Sequence, residues 1–458
     1  MNKSKYSLGE ECAVFGFFNR GEKDVGQLAY QSLFSMQHRG QDGAGLAGAV
    51  GNEVRHHKNI GLVNEVFTKQ ILDEYANDEI LIGHVRYATS SSVTVLDTQP
   101  LVMHGYEGFI AMAHNGHIVN GNEIRRELQK NGVLFQTNVD SEALMHIIAG
   151  NRDGIEEGIK DLIKRVRGSY ALTLMCPGKL IGVRDPWGIR PLCLGRLGDS
   201  YVLASESCAF NAIGAVFVRD IKPGEIVIIT SSGISSIETP PMERTALCVF
   251  EYVYFARNDS VIDGVNVYQS RIRMGRHLCK TAPVEADIVS GVPESAIPAA
   301  IGYANESGIT YGQCLIKNAY SGRTFIQEGQ MNREQSVRMK LCAIHENVEN
   351  KRIVLVDDSI VRGTNSMYIV KMLRNAGAKE IHMRIASPPV KFACHFGIDT
   401  PSRKNLVGAY LDTEEIASRI GADSLAYLGI EDLIAAVGNK NLGLCCACFD
   451  GKYPMPID

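Results

Sequence analysis

Two adjacent carboxylates, Asp357 and Asp358, end a short apolar run and begin a loop that leads into a helical pattern. Residues Ile353 to Val356 are apolar and mostly β-branched, which is typical of a buried strand. Apolar side chains then recur at helical spacing from Ile369, and Gly377 can end that helix. The two carboxylates are therefore predicted to lie at the carboxyl end of a strand, where open α/β sheets bind ligands.

The loop from Ser359 to Thr364 can turn backbone N–H groups toward an anion, with a helix N-terminus behind it. Carboxylates beside such a cradle suit a ligand that carries a phosphate and vicinal hydroxyls. The loop is neither a Walker loop nor a dinucleotide-binding motif, because Gly-Lys-Ser/Thr and G-x-G-x-x-G are both missing here. The alternative is an acidic strand end before an ordinary turn.

A second set of chemistry-bearing residues lies in the N-terminal half. Cys12 follows a polar leader of eleven residues, and Arg86 comes at the end of an apolar strand. Asn115-Gly116 is predicted to form a turn after another strand, and Asp140 begins a helical pattern. A lone cysteine is most often a small buried hydrophobic residue, and each motif alone is also compatible with a structural role.

The segment from Arg352 to Asn365 resembles the phosphoribosyl pyrophosphate (PRPP) loop of type I phosphoribosyltransferases. The resemblance implies that Asp357 and Asp358 hold the ribose hydroxyls and a metal-bound substrate, and that Val361 to Thr364 receive the 5′-phosphate. The residues of this segment that it implies for PRPP binding are Asp357, Asp358, Ser359, Val361, Arg362, Gly363 and Thr364.

The N-terminal set resembles the glutaminase domain of the N-terminal-nucleophile amidotransferases. The resemblance implies that the leader is removed and that Cys12 becomes a nucleophile whose own α-amino group, with a pKa near 8, serves as the base. It implies that Asn115 and the Gly116 N–H form the oxyanion hole. Arg86 would pair with the α-carboxylate of glutamine, and Asp140 would hold its α-ammonium.

Together the two halves resemble the glutamine phosphoribosylpyrophosphate amidotransferase family along nearly the whole chain. The implied reaction uses ammonia from glutamine to displace pyrophosphate from PRPP, which gives 5-phosphoribosylamine and commits the pathway to purines. Further strings that carry the resemblance are Phe34-Ser-Met-Gln-His-Arg-Gly-Gln-Asp-Gly43, Glu251-Tyr-Val-Tyr-Phe-Ala-Arg257, Gly291-Val-Pro-Glu-Ser295 and Gly322-Arg-Thr-Phe-Ile326.

Three further expectations concern the pyrophosphate end of the substrate. The resemblance implies that Ser295, with the two carboxylates, holds Mg²⁺, which eases the departure of pyrophosphate. Arg323 and Lys340, together with Arg338, could close over pyrophosphate as a lid, although a solvated basic face is the alternative. Ala319 stands where the family often has a basic residue, which puts one pyrophosphate or inhibitor contact in doubt.

The C-terminal Cys445-Cys-Ala-Cys448 contains a C-x-x-C pair, which alone is a weak signal. A zinc ion or a [4Fe–4S] cluster would need two more ligands, and Cys248 and Cys394 are candidates; composition does not separate the two metals. One branch of the family carries both a cleaved leader and a structural [4Fe–4S] cluster. That resemblance implies a cluster on Cys248, Cys394, Cys445 and Cys448, with Cys446 as a spectator.

Bulk composition fits a cytoplasmic enzyme. The 458 residues suffice for two or three domains, and 45% apolar with 21% charged residues indicates a globular chain. The net charge of −4 gives no reason to expect nucleic-acid binding. No apolar run is long enough to span a membrane, and Ala13 to Phe18 is too short for a signal peptide. Twelve cysteines in a cytosolic chain indicate thiols, metal ligands or catalysts rather than a disulfide framework.

The predicted fold is an α+β N-terminal-nucleophile hydrolase sandwich (αββα) followed by an α/β type I phosphoribosyltransferase domain. Strand-rich patterning before residue 237 and alternating strands and helices after Asp287 agree with it. The predicted boundaries are a leader at 1–11, a glutaminase domain at 12–237, a linker at 238–245, and a phosphoribosyltransferase domain with the cysteine segment at 246–458.

Two alternative functions differ in chemistry. A hexosamine-phosphate or asparagine-synthetase type of amidotransferase would not need the PRPP loop. A PRPP-sensing regulator without catalysis would not need Cys12, Arg86, Asn115 and Asp140 together. Family analogy adds the expectation of a homotetramer that is inhibited by purine nucleotides, with no nucleic acid or membrane as a partner.

Overall fold

Two antiparallel sheets lie face to face in the N-terminal half of the computed structural model, which describes residues 12–87, 94–240, 242–318, 341–400 and 402–457. Within these ranges the first sheet has seven strands, in the order β11 (Val216–Asp220), β9 (Cys193–Leu197), β10 (Ser200–Ala204), β1 (Ala13–Phe18), β4 (Ile80–Arg86), β2 (Gly43–Val50) and β3 (Glu53–Ile60). The second has six, in the order β13 (Gly233–Glu238), β12 (Glu225–Thr230), β8 (Lys179–Arg184), β7 (Gly168–Cys176), β6 (Gly108–Ile118) and β5 (Leu101–Gly105).

Strand β1 is apolar on both faces because it lies between two cores. Phe15 and Phe17 point into the core beneath the helices, whereas Val14 and Phe18 point into the core between the sheets, as the two-residue period of a strand requires. Helices cover the outer face of each sheet. This is the αββα sandwich that was predicted, and the prediction is confirmed.

Seven helices lie on these outer faces in the described part of the N-terminal half. The helices against the first sheet are Val25–Ser35, Val63–Val66, Lys69–Glu74 and Cys208–Ile213. Those against the second sheet are Gly121–Lys130, Asp140–Ala149 and Ile155–Arg165.

A parallel sheet organises the C-terminal half. Its strands in the described ranges follow the order β17 (Ile288–Gly291), β20 (Arg352–Asp357), β21 (Glu380–Ile385) and β22 (Ser424–Tyr427). The predicted strand before the two carboxylates is β20, and the predicted helix after the loop is Thr364–Asn375. The alternation of strands and helices and the α/β architecture are thereby confirmed.

Smaller elements complete this half. The other helices are Val267–Thr281, Ile297–Ser307, His345–Val348, Thr413–Ile420, Ile430–Val437 and Ala447–Asp450, with a π-helical turn at Glu251–Phe255 and 3-10 turns at Arg403–Asn405 and Val407–Ala409. Three short strand pairs join β14 (Leu247–Cys248) to β23 (Leu444–Cys445), β15 (Val261–Ile262) to β16 (Val265–Asn266), and β18 (Leu315–Lys317) to β19 (Leu341–Ala343). No helix of the described ranges is long and apolar enough to cross a membrane.

The predicted turn at Asn115-Gly116 is wrong. Both residues lie inside β6, opposite Ala171 and Tyr170 of β7. Gly116 has a φ of +144°, and a Cβ there would come within 2.0 Å of the Ser169 carbonyl oxygen. The glycine therefore serves the close approach of two strands rather than a turn.

The predicted linker begins one residue later than expected. Glu238 is the last residue of β13, where it lies opposite Glu225. Residues 239, 240 and 242–246 have neither helical nor strand structure.

Two candidate active sites

The thiol of Cys12 lies where β1 begins and β4 ends. Ala13 is opposite Val85 in the antiparallel pair, and the Tyr87 backbone N–H donates to the Cys12 Sγ at 3.4 Å. The Arg39 Nε–H donates to the Cys12 carbonyl oxygen at 3.2 Å. Main-chain and side-chain contacts thus fix both the backbone and the sulfur of this cysteine.

Two buried donors are available to a ligand at this end of the sandwich. Asn115 is 1% exposed and Arg86 is 6% exposed, and among the described residues the Asn115 Nδ2 and the Arg86 Nη1 have no hydrogen-bond partner. A buried donor without an acceptor costs about 1–3 kcal/mol. Since His84 Nε2 lies 3.2 Å from the His114 carbonyl oxygen, β4 and β6 meet beside these donors. A ligand rich in oxygen acceptors would satisfy both.

Asp140 supplies an acceptor in the same region. It is the first residue of the helix Asp140–Ala149, as predicted. Its Oδ2 accepts the Ile118 backbone N–H at 3.0 Å and lies 3.5 Å from His117 Nδ1. The carboxylate side chain is 23% exposed, so it remains accessible to a cationic ligand group.

Two buried histidines, His84 and His114, lie on the same strands as these donors. Burial lowers the pKa of His84 to about 3, with a further contribution from the neighbouring Arg86 guanidinium. Burial likewise lowers the pKa of His114, although the Asp140 carboxylate opposes this shift. Arg86 therefore provides a permanent positive charge, while neither imidazole adds one at neutral pH.

The second candidate site lies at the carboxyl end of β20. Asp358 accepts hydrogen bonds from the Ser295 hydroxyl at 2.5 Å and from the Ser359 hydroxyl at 2.7 Å. Burial raises the pKa of both Asp357 and Asp358, and the adjacent charge of Asp358 raises the pKa of Asp357 further. The charge of Arg271 only partly opposes the shift at Asp358. Two carboxyls held together in this way fit a hard cation with oxygen ligands.

The loop after Asp358 connects the strand directly to the helix Thr364–Asn375. The Val361 carbonyl accepts the Val407 N–H at 2.9 Å, which ties the loop to a neighbouring turn. Gly363 has a φ of +77° and caps the start of the helix. The predicted PRPP residues Ser359, Val361, Arg362, Gly363 and Thr364 are therefore contiguous at a helix N-terminus, which favours anions. Arg323, Arg338, Lys340 and Ala319 lie outside the described residues.

The structure brings the four predicted cluster cysteines together. Cys248 is opposite Cys445 in the parallel pair β14–β23. Burial raises the pKa of Cys448, and the charges of Cys248, Cys394, Cys445 and also Cys446 raise it further. The Phe396 N–H donates to the Cys394 Sγ at 3.3 Å. Within the described residues no group of three or more His, Cys, Asp or Glu side chains is arranged to hold a metal ion. A four-iron cluster differs from an ion because each cysteine binds a separate iron.

Sequence reasoning missed the group of charges behind Cys12. The Arg39 guanidinium donates to Glu206 at 2.6 Å and forms a bidentate pair with Glu251 at 2.8 and 2.7 Å, and all three side chains are fully buried. Arg39 belongs to one of the strings that carry the family resemblance. Its partners lie 167 and 212 positions away along the chain, so no local pattern could assign them.

Comparisons with known proteins agree on one family. The glutamine amidotransferase domain family matches residues 84–212. An amidophosphoribosyltransferase of Archaeoglobus fulgidus is 47% identical over 97% of this chain and 98% of its own length, and one of Bacillus subtilis is 46% identical over 98% and 95%.

Solved structures give the same result. The glutamine PRPP amidotransferase from B. subtilis, complexed with ADP and GMP, is 45% identical, with a TM-score of 0.91 over 98% of each chain. A structure described as the allosteric regulatory enzyme of purine biosynthesis has a TM-score of 0.92 at 45% identity, over 98% of this chain and 97% of its own.

Proposed function

This chain belongs to the amidophosphoribosyltransferase family and catalyses the first step of purine biosynthesis, and we propose that it does so at the two sites described above. In this reaction PRPP, glutamine and water give 5-phosphoribosylamine, glutamate and pyrophosphate. The observation that carries the assignment is the identity of 45–47% over nearly the full chain. One chain also contains both a fixed thiol beside buried donors and a carboxylate pair beside an anion-binding loop.

The proposed glutaminase half-reaction begins at Cys12. Its sulfur attacks the γ-carboxamide carbon of glutamine, and the resulting oxyanion accepts from the Asn115 Nδ2 and the Gly116 N–H. Collapse of this intermediate releases ammonia and leaves a thioester, which water hydrolyses to glutamate. Removal of the leader 1–11 would free the α-amino group of Cys12 to take the thiol proton and return it to the departing nitrogen.

Glutamine is proposed to be held by its α-substituents. The Arg86 guanidinium, which has a buried Nη1 without a partner among the described residues, would donate to the α-carboxylate. The partly exposed Asp140 carboxylate would accept from the α-ammonium. The positive charge of Arg86 and the negative charge of Asp140 would together select a ligand with an α-carboxylate and an α-ammonium over a simple amide.

The second half-reaction is proposed to occur at the end of β20. Ammonia attacks the anomeric carbon of PRPP, the bond to the pyrophosphate oxygen breaks, and the new ammonium loses a proton. Asp357, Asp358 and Ser295 would hold Mg²⁺, which when bound neutralises the charge of the leaving pyrophosphate. Burial raises the pKa of both carboxyls, and a bound cation would favour their charged forms. Closure of Arg323 and Lys340 over the pyrophosphate stays a prediction.

The cysteine site is proposed to hold a structural [4Fe–4S] cluster. The support is the convergence of Cys248, Cys394, Cys445 and Cys448, together with the Phe396 N–H that donates to the sulfur of Cys394. Neither half-reaction transfers electrons, so the cluster would stabilise structure rather than take part in catalysis.

Regulation by purine nucleotides is proposed from the relative in B. subtilis, whose structure contains ADP and GMP. Phosphate groups of such nucleotides could occupy the anion-binding loop from Ser359 to Thr364 in competition with PRPP. A homotetrameric assembly stays an expectation from family analogy, and a cytoplasmic location stays a prediction from the sequence.

Transfer of labelled nitrogen tests the proposed function. Purified protein is incubated with PRPP, Mg²⁺ and glutamine that carries ¹⁵N in its amide. The label should appear in the ribosylamine product, which is trapped chemically because it is unstable. Label that remains in free ammonia, with PRPP unchanged, would contradict the proposal.

A further inference from the structure

A short segment of the C-terminal half, Cys394 to Gly397, lies directly behind the strand that carries the proposed oxyanion donors. We propose that this segment and the hydroxyl of Ser169 position Gly116 for the glutaminase half-reaction. Ser169 and Gly397 would thus be positioning residues that touch neither substrate nor Cys12. The inference rests on the proposed role of Gly116 in the oxyanion hole.

The first connection is a pair of hydrogen bonds through Ser169. This residue lies in β7 and is fully buried. Its hydroxyl donates to the Phe396 carbonyl oxygen at 2.7 Å, and its Oγ accepts the His117 backbone N–H at 3.2 Å. Since His117 follows Gly116 in β6, the hydroxyl bridges the segment to the peptide next to the proposed oxyanion donor.

The second connection is direct packing of one glycine on another. Gly397 has a φ of +110°, and a Cβ added there would lie 3.3 Å from the Gly116 carbonyl carbon and 2.9 Å from the Arg190 Nη2. Arg190 is fully buried and donates to the Phe396 carbonyl oxygen through both Nε and Nη2. The backbone of the segment therefore has no room to move toward β6.

Gly116 is also confined by the neighbouring strand β7. A Cβ on Gly116 would lie 2.0 Å from the Ser169 carbonyl oxygen, so β7 blocks movement in that direction. Both β7 and the segment therefore restrict movement of this peptide. Such confinement matters because an oxyanion donor must lie about 2.7–3.1 Å from the developing charge, and loss of one donor costs about 10²–10³ in kcat.

The same segment continues into the cysteine site. The Phe396 N–H donates to the Cys394 Sγ at 3.3 Å, and the Thr400 hydroxyl oxygen accepts the Cys394 N–H at 2.8 Å. One residue, Phe396, therefore contacts a proposed cluster ligand through its N–H and Ser169 through its carbonyl. A group bound at Cys394 would further fix the peptide that supports β6.

Ser169→Ala and Gly397→Ala test the proposal in the full-length holoenzyme. Each should lower the kcat of glutamine-dependent synthesis by about tenfold, since a donor is displaced rather than removed. The KM for glutamine and the ammonia-dependent rate should remain as in the parent. Glutamate γ-semialdehyde, which forms a thiohemiacetal oxyanion with the nucleophile, should bind about tenfold more weakly, whereas glutamate should bind equally well.

Two control variants separate positioning from general damage. Ser32 is a fully buried serine in the helix Val25–Ser35, and its hydroxyl has no hydrogen-bond partner among the described residues. Gly214 has a φ of +72°, and no described atom lies within 4 Å of a Cβ built there. Ser32→Ala and Gly214→Ala should leave the aldehyde affinity and the glutamine kcat unchanged.

The outcomes also separate this inference from the proposed function. Parent-like aldehyde affinity and kcat in Ser169→Ala would overturn the inference, even if Gly397→Ala failed to fold. An equal fall of the glutamine-dependent and ammonia-dependent rates would overturn it as well, because that result indicates a folding defect. Failure of the parent protein to bind the aldehyde would instead contradict the proposed function itself.

Discussion

The surroundings of Cys12 suit a nucleophile that needs no histidine. Burial lowers the pKa of His84 to about 3 and also lowers the pKa of His114, so both imidazoles are weak bases, and the Tyr87 backbone N–H donates to the sulfur. An α-amino group at residue 12 would have a pKa near 8, so a useful fraction would be neutral at pH 7. The proposed chemistry would then depend on the free α-amino group of Cys12 rather than on a side-chain base.

Cys12→Ala should abolish glutamine-dependent synthesis but leave ammonia-dependent synthesis intact, because the second half-reaction uses a separate site. Both rates are measured with saturating PRPP and Mg²⁺. Cys342→Ala, which alters an exposed cysteine, serves as the control. Intact-mass analysis should also show that the active protein lacks Met1 to Glu11. Full glutamine use by Cys12→Ala, or full activity with Met1 retained, would refute the role of this residue.

Arg39→Met should destabilise the fold strongly. It leaves Glu206 and Glu251 buried without their guanidinium partner, and breaking such a pair costs about 3–5 kcal/mol. Urea denaturation of the parent protein and of Arg39→Met measures the difference in their free energies of unfolding. Arg196→Met, which removes the exposed pair with Asp199, should change stability by less than about 1 kcal/mol. Equal stability of the two variants would show that the buried pairs contribute little.

Strands and loops with local signals were predicted correctly, whereas features set by distant contacts were not. β20 and the following helix follow from apolar runs and a glycine stop within one short stretch. Asn115-Gly116 has the local signature of a turn, but the backbone of β7 passes so close that only a strand glycine fits. The support that Ser169 gives to Phe396 spans 227 positions, so only the folded chain reveals it.

A substitution at the end of β20 should affect one half-reaction and leave the other unchanged. Asp358→Asn removes a charge that faces Ser295 and the proposed Mg²⁺. The loss should cost on the order of 2–5 kcal/mol, which lowers the rate with PRPP or the affinity for it at least tenfold. Basal glutamine hydrolysis without PRPP should be retained. Asp199→Asn is the control on an exposed carboxylate. Unchanged PRPP kinetics in Asp358→Asn would count against the site, and parallel loss of hydrolysis would indicate misfolding.

The two halves of the molecule are joined by buried polar contacts rather than by apolar packing alone. Arg39 pairs with Glu251, and the Arg184 guanidinium makes two contacts of 2.8 Å with the Asp263 carboxylate. The short pair β14–β23 brings residues 247–248 beside 444–445. These contacts hold the end of the linker and the C-terminal segment against the rest of the chain. The cysteine site lies at this junction.

A [4Fe–4S] cluster at that junction should stabilise the whole molecule. Its ligands come from three segments far apart in sequence, so the cluster would close the long stretches of chain between them. The free energy of cluster binding would then add to the free energy of folding. Anaerobically purified protein should be brown, with about four irons and four sulfides per chain. Cys448→Ser should lose the cluster, whereas Cys446→Ser should keep it. Colourless, fully active protein with stoichiometric zinc would refute the iron–sulfur assignment.

The coupling of the two half-reactions in one chain is tested most directly by product stoichiometry. Glutamate and pyrophosphate are quantified together during turnover with PRPP, Mg²⁺ and glutamine, and again with each substrate omitted. Equal amounts of the two products, with pyrophosphate formed only when PRPP and a nitrogen donor are both present, are the expected result. Glutamate without pyrophosphate in the complete mixture would contradict the account, because the chain would then be a glutaminase that does not use PRPP.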